Sequence, residues 1–191
     1  MRRPIKVWAA VAIAAAMSLV AGGATASAAP TGIQPRFAAQ AHAADLSVAQ
    51  ADQLQQEVTG YIHEHGGTQA ALNVVDFHGG SITFAVPGER YARNLATDPH
   101  VLDTPACAGT TFCAYKAAFF EGAEISIFNN CEYAAMPWKT EGSYINHLAN
   151  GLGVGWYNAE YDLVYATPPA PADNQEVNWD PVAWIISCNY T

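Results

Sequence analysis

The feature that most constrains this chain is a set of four cysteines, all in its C-terminal half: Cys107, Cys113, Cys131 and Cys188. An even number of cysteines in an exported chain predicts two disulfides, and the sequence by itself allows three ways of pairing them. A zinc site is the competing explanation. Zinc sites favour cysteine pairs about two to four residues apart, whereas the shortest spacing here is five residues, between Cys107 and Cys113. We therefore expect a small, disulfide-bonded domain.

The N-terminus has the pattern of an export signal. Basic residues lie within the first six positions, an apolar run follows from Val7 to Val20, and small residues end in Ala26-Ser27-Ala28. This order predicts a signal peptide over residues 1–28, cleaved after Ala28, with cleavage after Ala26 or Ala29 as the alternatives. The apolar run is shorter than the ~20 residues that a membrane-spanning helix needs. We expect a secreted, extracellular protein.

Charge excludes two classes of partner. The chain has 8 basic and 17 acidic side chains, and a signal over residues 1–28 removes three basic residues (Arg2, Arg3 and Lys6) and no acid. Five basic residues then face 17 acids, a net charge of −12. A protein this acidic repels nucleic acid and anionic membrane surfaces. We predict no nucleic-acid partner, and no membrane partner after signal cleavage.

Residues 45–88 are predicted to form one helix and one β-hairpin. The helix covers Leu46–His65, and Ser47 and Gln50 stand at the spacing of a capping box. Two short β runs, 72–77 and 81–86, flank His78-Gly79-Gly80, which is a hairpin signal. Such a segment is too small to bury a good core alone, so it must pack on the rest of the chain, bind a partner or be a detachable pro-segment.

Two further segments lack periodicity. Residues 29–44 are rich in Ala, Gln and Pro and are predicted to form a flexible leader. Residues 89–105 are polar and predicted to form a linker, in which Arg90 and Arg93 stand. An exposed arginine in a linker suits proteolytic processing, and the alternative is an ordinary solvated loop.

Residues 106–191 have the rhythm of a β-sandwich. Short β runs are spaced by about 8–12 residues, and the proline-rich stretch 168–172 is predicted to be a loop. The expected strands are 112–115, 124–128, 144–147, 154–157, 163–166 and 183–187. The domain is small enough for disulfides to contribute substantially to its stability.

One motif within this domain is specific. The segment Cys107-Ala-Gly-Thr-Thr-Phe-Cys113-Ala-Tyr115 leads to Gly122, so that Tyr115 and Gly122 have the spacing Y-x₆-G. This spacing resembles the Greek-key signature of βγ-crystallins. With the preceding C-x₅-C, the segment is similar to the bacterial metalloproteinase-inhibitor family of the streptomycete type, which has a βγ-crystallin-like fold. The resemblance extends over about residues 106–165.

The resemblance implies a mostly β protein in which a βγ-crystallin-like Greek-key sandwich follows the small helix-plus-hairpin segment. It implies a Cys107–Cys113 bridge, which leaves Cys131 and Cys188 for the second. It places Tyr115 against a folded hairpin and gives Gly122 a positive φ. It also implies a secreted proteinase inhibitor that acts on extracellular metallopeptidases, with no catalytic activity of its own and no cofactor.

The sequence departs from the family pattern in its second half. The residue seven positions after Tyr157 is Val164 rather than glycine, and residues 158–167 contain no cysteine. In the family's prototype, two further cysteines flank the loop that contacts the protease. The resemblance therefore supports the fold more strongly than it supports the inhibitory loop.

Two loops are candidates for contact with a peptidase. The first contains Asn129, Asn130 and Glu132 around Cys131, and the second contains Asn158, Glu160, Tyr161 and Asp162. An inhibitor presents a loop already in its bound shape, because rigidity lowers the entropy cost of binding. A carboxylate facing a catalytic zinc would suit either loop. The alternative is that both are ordinary turns rich in Asn and Asp.

The second hypothesis is a non-catalytic module that binds polysaccharide or calcium. Trp138 and Trp179 lie beside proline or polar residues and are predicted to be exposed rings for sugar stacking, whereas Trp156 and Trp184 lie in apolar runs and are predicted to be core. Asn129-Asn130 begins a calcium pattern of βγ-crystallins, but hydroxyl residues do not follow. We predict no dedicated metal site, with weak Ca²⁺ binding by acidic loops as the remaining alternative. A third hypothesis is a structural, protease-resistant coat protein.

Overall fold

The computed structural model describes residues 33–188. Within this range two antiparallel sheets dominate and two α-helices precede all of the strands, so the prediction of a mostly β protein is confirmed. The elements are α1 (Pro35–Ala43), α2 (Val48–His65), β1 (Thr68–Ala71), β2 (Val74–Phe77), β3 (Gly80–Thr83), β4 (Phe112–Tyr115), β5 (Glu124–Ile127), β6 (Tyr133–Ala135), β7 (Glu141–Asn146), β8 (Val154–Tyr157), β9 (Leu163–Ala166), β10 (Ala172–Asn178) and β11 (Trp184–Ser187).

The strands form a large sheet and a small sheet. The large sheet has the order β1-β2-β3-β5-β4-β7-β10, and the small sheet has the order β6-β11-β8-β9. The C-terminal region has two halves, β4 to β7 and β8 to β11. The third strand of each half lies in the sheet that contains the other three strands of the opposite half. Strands β4, β5 and β7 lie in the large sheet but β6 lies in the small one, while β8, β9 and β11 lie in the small sheet but β10 lies in the large one. The exchange links the two sheets, which pack as a sandwich.

The core between the sheets is aromatic. The rings of Phe112, Tyr144, Trp156 and Trp179 contact one another in sequence, with centroids 5.5, 5.5 and 4.6 Å apart. The indole of Trp179 donates to the carbonyl oxygen of Tyr115 at 2.9 Å, which satisfies its N–H inside the core.

Helix α2 forms as predicted from its start signal. The Ser47 hydroxyl accepts from the Gln50 backbone N–H at 3.3 Å, and the Gln50 side chain accepts from the Ser47 N–H at 3.0 Å. This confirms the capping box. Leu54 and Val58 are buried, because the apolar side of the helix packs on the first strands of the large sheet.

The N-terminal hairpin is part of the large sheet. Strands β2 and β3 are joined by His78-Gly79, and β3 pairs along its length with β5, from Gly80 opposite Ile127 to Thr83 opposite Glu124. Strand β1, which was not predicted, pairs with β2 and ends the sheet. The helix-plus-hairpin segment therefore shares a backbone ladder with the residues after 106.

The predicted leader is partly ordered. Residues 29–32 lie outside the described range, but Pro35–Ala43 form α1, and Phe37 and Ala41 are buried in the core. The expectation of a flexible leader is wrong for this part, since one apolar helix face packs on the domain.

The predicted linker has no helix or strand, but it is docked on the hairpin. Arg93 is only 2% exposed, so it is not an accessible processing site, whereas the Arg90 side chain is 59% exposed and pairs with Glu121 at 2.6 Å. The Arg93 guanidinium donates to both carboxylate oxygens of Glu89 at 2.6 and 2.7 Å. The buried Asn73 amide donates to the carbonyl oxygens of Phe84 and Arg93 at 2.7 Å, and its oxygen accepts from the Leu95 N–H at 3.2 Å. The Asn73 side chain therefore connects the segment 89–105 to the hairpin by hydrogen bonds.

The predicted signal peptide over residues 1–28 lies outside the described residues. In the part of the chain that is described, no helix has the length and apolar character needed to cross a membrane.

Candidate functional site

The first predicted contact loop is attached to the fold at both ends. The disulfide Cys131–Cys188 joins it to the end of β11, and the Cys131 N–H donates to the Ser187 carbonyl oxygen at 3.1 Å. The Asn130 side chain packs over Gly79, and Asn129 is exposed beside it. These contacts hold the loop against the turn between β2 and β3.

The second predicted contact loop connects β8 to β9 and is held by one side chain. The carboxamide oxygen of Asn158 accepts from the N–H groups of Glu160 at 3.0 Å and Asp162 at 2.8 Å. The backbone N–H of Asn158 donates to the Asp162 carbonyl oxygen at 3.0 Å. Tyr161 has a φ of 66° and is 54% exposed at the end of the turn. The loop is thus an internally hydrogen-bonded turn that presents a tyrosine.

The structure brings the two loops together through aromatic rings. Tyr133, directly after the first loop, contacts Tyr161 at 5.3 Å and Tyr157 at 5.4 Å between ring centroids. Tyr161 also stacks on Trp184, with centroids 5.6 Å apart and planes 8° from parallel. We call Tyr133, Tyr157, Tyr161 and Trp184 the outer aromatic surface, because it lies on the face of the small sheet that points away from the core.

Carboxylates surround this surface. Glu132, Glu160 and Asp162 are all exposed. The carboxylate of Glu132 lies 2.7 Å from the imidazole Nε2 of His78 in the β2–β3 turn. An apolar aromatic centre with a polar rim is the usual composition of a protein-binding surface, and Tyr and Trp are the residues that most often dominate binding energy.

Three tryptophans are placed opposite to the sequence prediction. Trp138 and Trp179 were expected to be exposed, but both are buried. Trp184 was expected in the core, but it is half-buried and lies on the outer aromatic surface. Strand β11 is apolar on both faces, so alternation could not separate Trp184 from the inward-facing Ile185. The spacing Tyr133…Tyr157…Tyr161 carries no local signal either, because the contacts form only across strands.

The motif residues Tyr115 and Gly122 flank the connection between β4 and β5. Tyr115 is buried, contacts the Phe120 ring at 5.6 Å, and donates its hydroxyl to the Ala106 carbonyl oxygen at 2.8 Å. Gly122 has a φ of 78°, in the region that glycine adopts without strain. The Ser143 hydroxyl accepts from the Phe120 N–H at 2.8 Å and donates to the Ala117 carbonyl oxygen at 2.7 Å. The connection is therefore folded back onto the sheet.

All four cysteines are in disulfides, Cys107–Cys113 and Cys131–Cys188, which is the pairing that the resemblance implied. Two disulfides favour an oxidising compartment. Within residues 33–188 no group of three or more His, Cys, Asp or Glu side chains is arranged to hold a metal ion.

One buried carboxyl lies away from the outer aromatic surface. Glu124 on β5 is opposite Tyr115 and Thr83 in the large sheet, and its carboxylate accepts from the Ser126 hydroxyl at 2.7 Å. Burial raises the pKa of Glu124 to about 7, and the hydrogen bond from Ser126 opposes that increase. No local pattern predicts this burial, because an acidic residue is rarely buried in a central strand.

Comparison of the chain with protein-family models, with curated proteins and with solved structures gives no match.

Proposed function

We propose that residues 106–188 form a βγ-crystallin-like Greek-key sandwich. Two observations support this proposal. Each half of the region gives its third strand to the opposite sheet, and Tyr115, Gly122 and Ser143 fix a folded connection at the position of the Y-x₆-G motif. In the second half the corresponding connection is the short turn at Asn158, where Tyr161 takes the positive φ.

We propose that the protein is a secreted, non-catalytic proteinase inhibitor and that its partner is an extracellular zinc metallopeptidase. The observation that carries this proposal is the 5.3 Å contact between Tyr133 and Tyr161, which joins the two candidate loops into one surface. Secretion is supported by the signal-like N-terminus and by the two disulfides.

The rigidity of the surface suits inhibition. The Cys131–Cys188 bridge fixes the first loop and the Asn158 hydrogen bonds fix the second, so little conformational entropy is lost when a peptidase binds. The carboxylates of Glu132, Glu160 and Asp162 are exposed at the rim, where a metallopeptidase presents its zinc and cationic side chains.

The test is titration of the oxidised protein, without residues 1–28, into a thermolysin-type metallopeptidase while peptide hydrolysis is followed. We expect stoichiometric loss of activity, and we expect Tyr161→Ala to weaken inhibition by about 2 kcal/mol because it removes a central aromatic contact. Phe119→Ala is the matched control, since Phe119 is also an exposed aromatic at positive φ but lies on the β4–β5 connection.

Full activity of the peptidase at excess protein would contradict the proposal for this class of enzyme. Equal inhibition by the Tyr161→Ala and parent proteins would instead place the inhibitory contact elsewhere. Polysaccharide binding is the second candidate function, and the observations that favour it lie in a different part of the molecule, at the edge between the two sheets.

A further inference from the structure

A cleft of about 260 Å³ opens where the edge strands of the two sheets face each other. Strand β9 ends the small sheet and β10 ends the large one. The residues that line the cleft include Trp156, Val164, Tyr165, Asn174, Val177 and Asn178. Tyr165 is directly opposite the buried Trp156 in the strand pairing, so the cleft lies on the inner side of the small sheet, and the outer aromatic surface lies on the other side.

One residue that lines the cleft has an unsatisfied, buried hydrogen-bond donor. Trp156 is 4% exposed, and its indole N–H has no acceptor among residues 33–188. The neighbouring Trp179 donates to a backbone carbonyl oxygen, so an unpaired indole is not a general property of this core. A buried N–H without a partner costs free energy, because it has lost its hydrogen bond to water. A ligand oxygen that accepts from Trp156 would recover part of that cost.

Two asparagines on β10 add donors at the rim. The carboxamide oxygen of Asn174 accepts from the Glu176 N–H at 3.0 Å, and that of Asn178 accepts from the Asp180 N–H at 2.9 Å. These bonds fix the orientation of both carboxamides. Their NH₂ groups have no acceptor in the described part of the chain. Both are therefore available to a ligand.

An aromatic ring forms one wall. Tyr165 is 41% exposed and packs on Trp156 with centroids 4.5 Å apart. The ring is thus held in place with one part open to solvent. Val164 and Val177 add apolar surface. Amide donors beside an exposed aromatic ring match a ligand with polar oxygens on an apolar ring.

Charge and strand geometry exclude two other occupants. None of the residues that line the cleft is charged, which argues against a phosphate or a metal ion. An extended peptide would have to continue a backbone ladder on β9 or β10. Both strands have an irregular register beside the cleft, at Val164 and at Gln175-Glu176, and such bulges interrupt pairing at an edge.

We propose that this cleft binds a saccharide residue. The Tyr165 ring stacks on the sugar, and the N–H groups of Trp156, Asn174 and Asn178 donate to its oxygens. Three donors favour a residue with a strong neutral acceptor, and the acetamido carbonyl of an N-acetylated hexosamine is such a group. The proposal does not depend on peptidase inhibition, which uses the opposite face of the small sheet.

The test is isothermal titration of the oxidised protein with chitotetraose, and with cellotetraose as the probe that lacks acetamido groups. We expect saturable binding of chitotetraose that is tighter than binding of cellotetraose. Removing one donor with Trp156→Phe or Asn178→Ala should weaken it about tenfold. Asn94→Ala is the matched control, because the Asn94 carboxamide oxygen likewise accepts from a backbone N–H two residues later, at 2.9 Å from Ala96, and Asn94 lies in neither the cleft nor a contact loop, so sugar affinity should be unchanged.

Thermal unfolding of each variant separates loss of the site from loss of the fold. Absence of chitotetraose binding to the parent protein would overturn the proposal, and so would unchanged affinity in the folded Trp156→Phe and Asn178→Ala variants. Peptidase inhibition measured on the same Asn178→Ala sample should remain intact, so that a failure of this inference and a failure of the inhibitor proposal give different results.

Discussion

Glu124 is the residue at which the large sheet departs most from ordinary sheet chemistry. It occupies a central strand, where its neighbours across the pairing are Tyr115 and Thr83. Its single side-chain hydrogen bond, from Ser126, does not offset the loss of water around a charged carboxylate. The folded protein therefore holds a proton on Glu124 at pH values where the unfolded chain has released it.

This shift predicts how stability depends on pH. The pKa of Glu124 rises from 4.5 in the unfolded chain to about 7 in the folded protein, so the folded state binds more protons between those values and stability falls as pH increases through them. The contribution of Glu124 amounts to up to about 3 kcal/mol between pH 4.5 and pH 8. Urea unfolding of Glu124→Gln should lack this part of the dependence, leaving the variant more stable than the parent at pH 8.

Glu141→Gln is the control for that experiment, because Glu141 is an exposed carboxylate at the start of β7. We expect its pH dependence to follow the parent protein. A Glu124→Gln profile that runs parallel to the parent would show that Glu124 is charged in the folded state throughout.

At the scale of elements, replacing either of two glycines in different environments with alanine should change the free energy of unfolding in opposite directions. A Cβ at Gly142 on β7 would overlap the Trp179 indole and the Tyr115 carbonyl oxygen, whereas a Cβ at Gly60 in α2 would meet nothing within 4 Å. Gly142→Ala should lower the free energy of unfolding by roughly 2–4 kcal/mol through overpacking. Gly60→Ala should raise it by about 0.5–1 kcal/mol, since alanine favours the helix.

Each variant is the control for the other, because both add one methyl group. Urea unfolding at a single pH measures both effects. A neutral Gly142→Ala would show that the indole of Trp179 can move without loss of packing.

Elements with a strong local signal could be predicted, and others could not. Strands β4, β8 and β9 have the bounds expected from their apolar runs, and the capping box located the start of α2. Strand β10 reads Ala-Asp-Asn-Gln-Glu-Val-Asn, which has no apolar alternation because it is a largely exposed edge strand. Helix α1 was missed because only Phe37 and Ala41 are buried, too few positions to show a helical period.

The candidate site was predictable only in part. Asn and Asp enrichment and the cysteine at position 131 located both contact loops, but their proximity depends on ring contacts between β6 and the β8–β9 turn. The cleft at Trp156 gave no sequence signal, because it forms between strands of different sheets. Local sequence patterns indicate which segments form turns, but they do not indicate which turns lie close together in the folded protein.

At the scale of the whole molecule, the pairing of β3 with β5 makes the N-terminal segment part of the sandwich. Residues 106–191 expressed alone would lose that pairing and expose β5 as an open edge, together with the apolar surface that α2 covers. We expect this fragment to self-associate in size-exclusion chromatography with light scattering, while residues 29–191 remain monomeric. A monomeric fragment with both disulfides and a cooperative unfolding transition would contradict this expectation.

The strand exchange has a consequence for the order of events during synthesis. Strand β11 lies between β6 and β8 in the small sheet. That sheet therefore lacks the strand that joins β6 to β8 until the ribosome has added residue 187. The partner cysteines of one bridge are 6 positions apart and those of the other are 57 apart. Cys107–Cys113 can therefore form on a partly made chain, whereas Cys131–Cys188 must wait until residue 188 has been added. The loop around Cys131 therefore acquires its disulfide later than the segment 107–113, so a nascent chain does not yet present the outer aromatic surface that we propose as the contact with a peptidase.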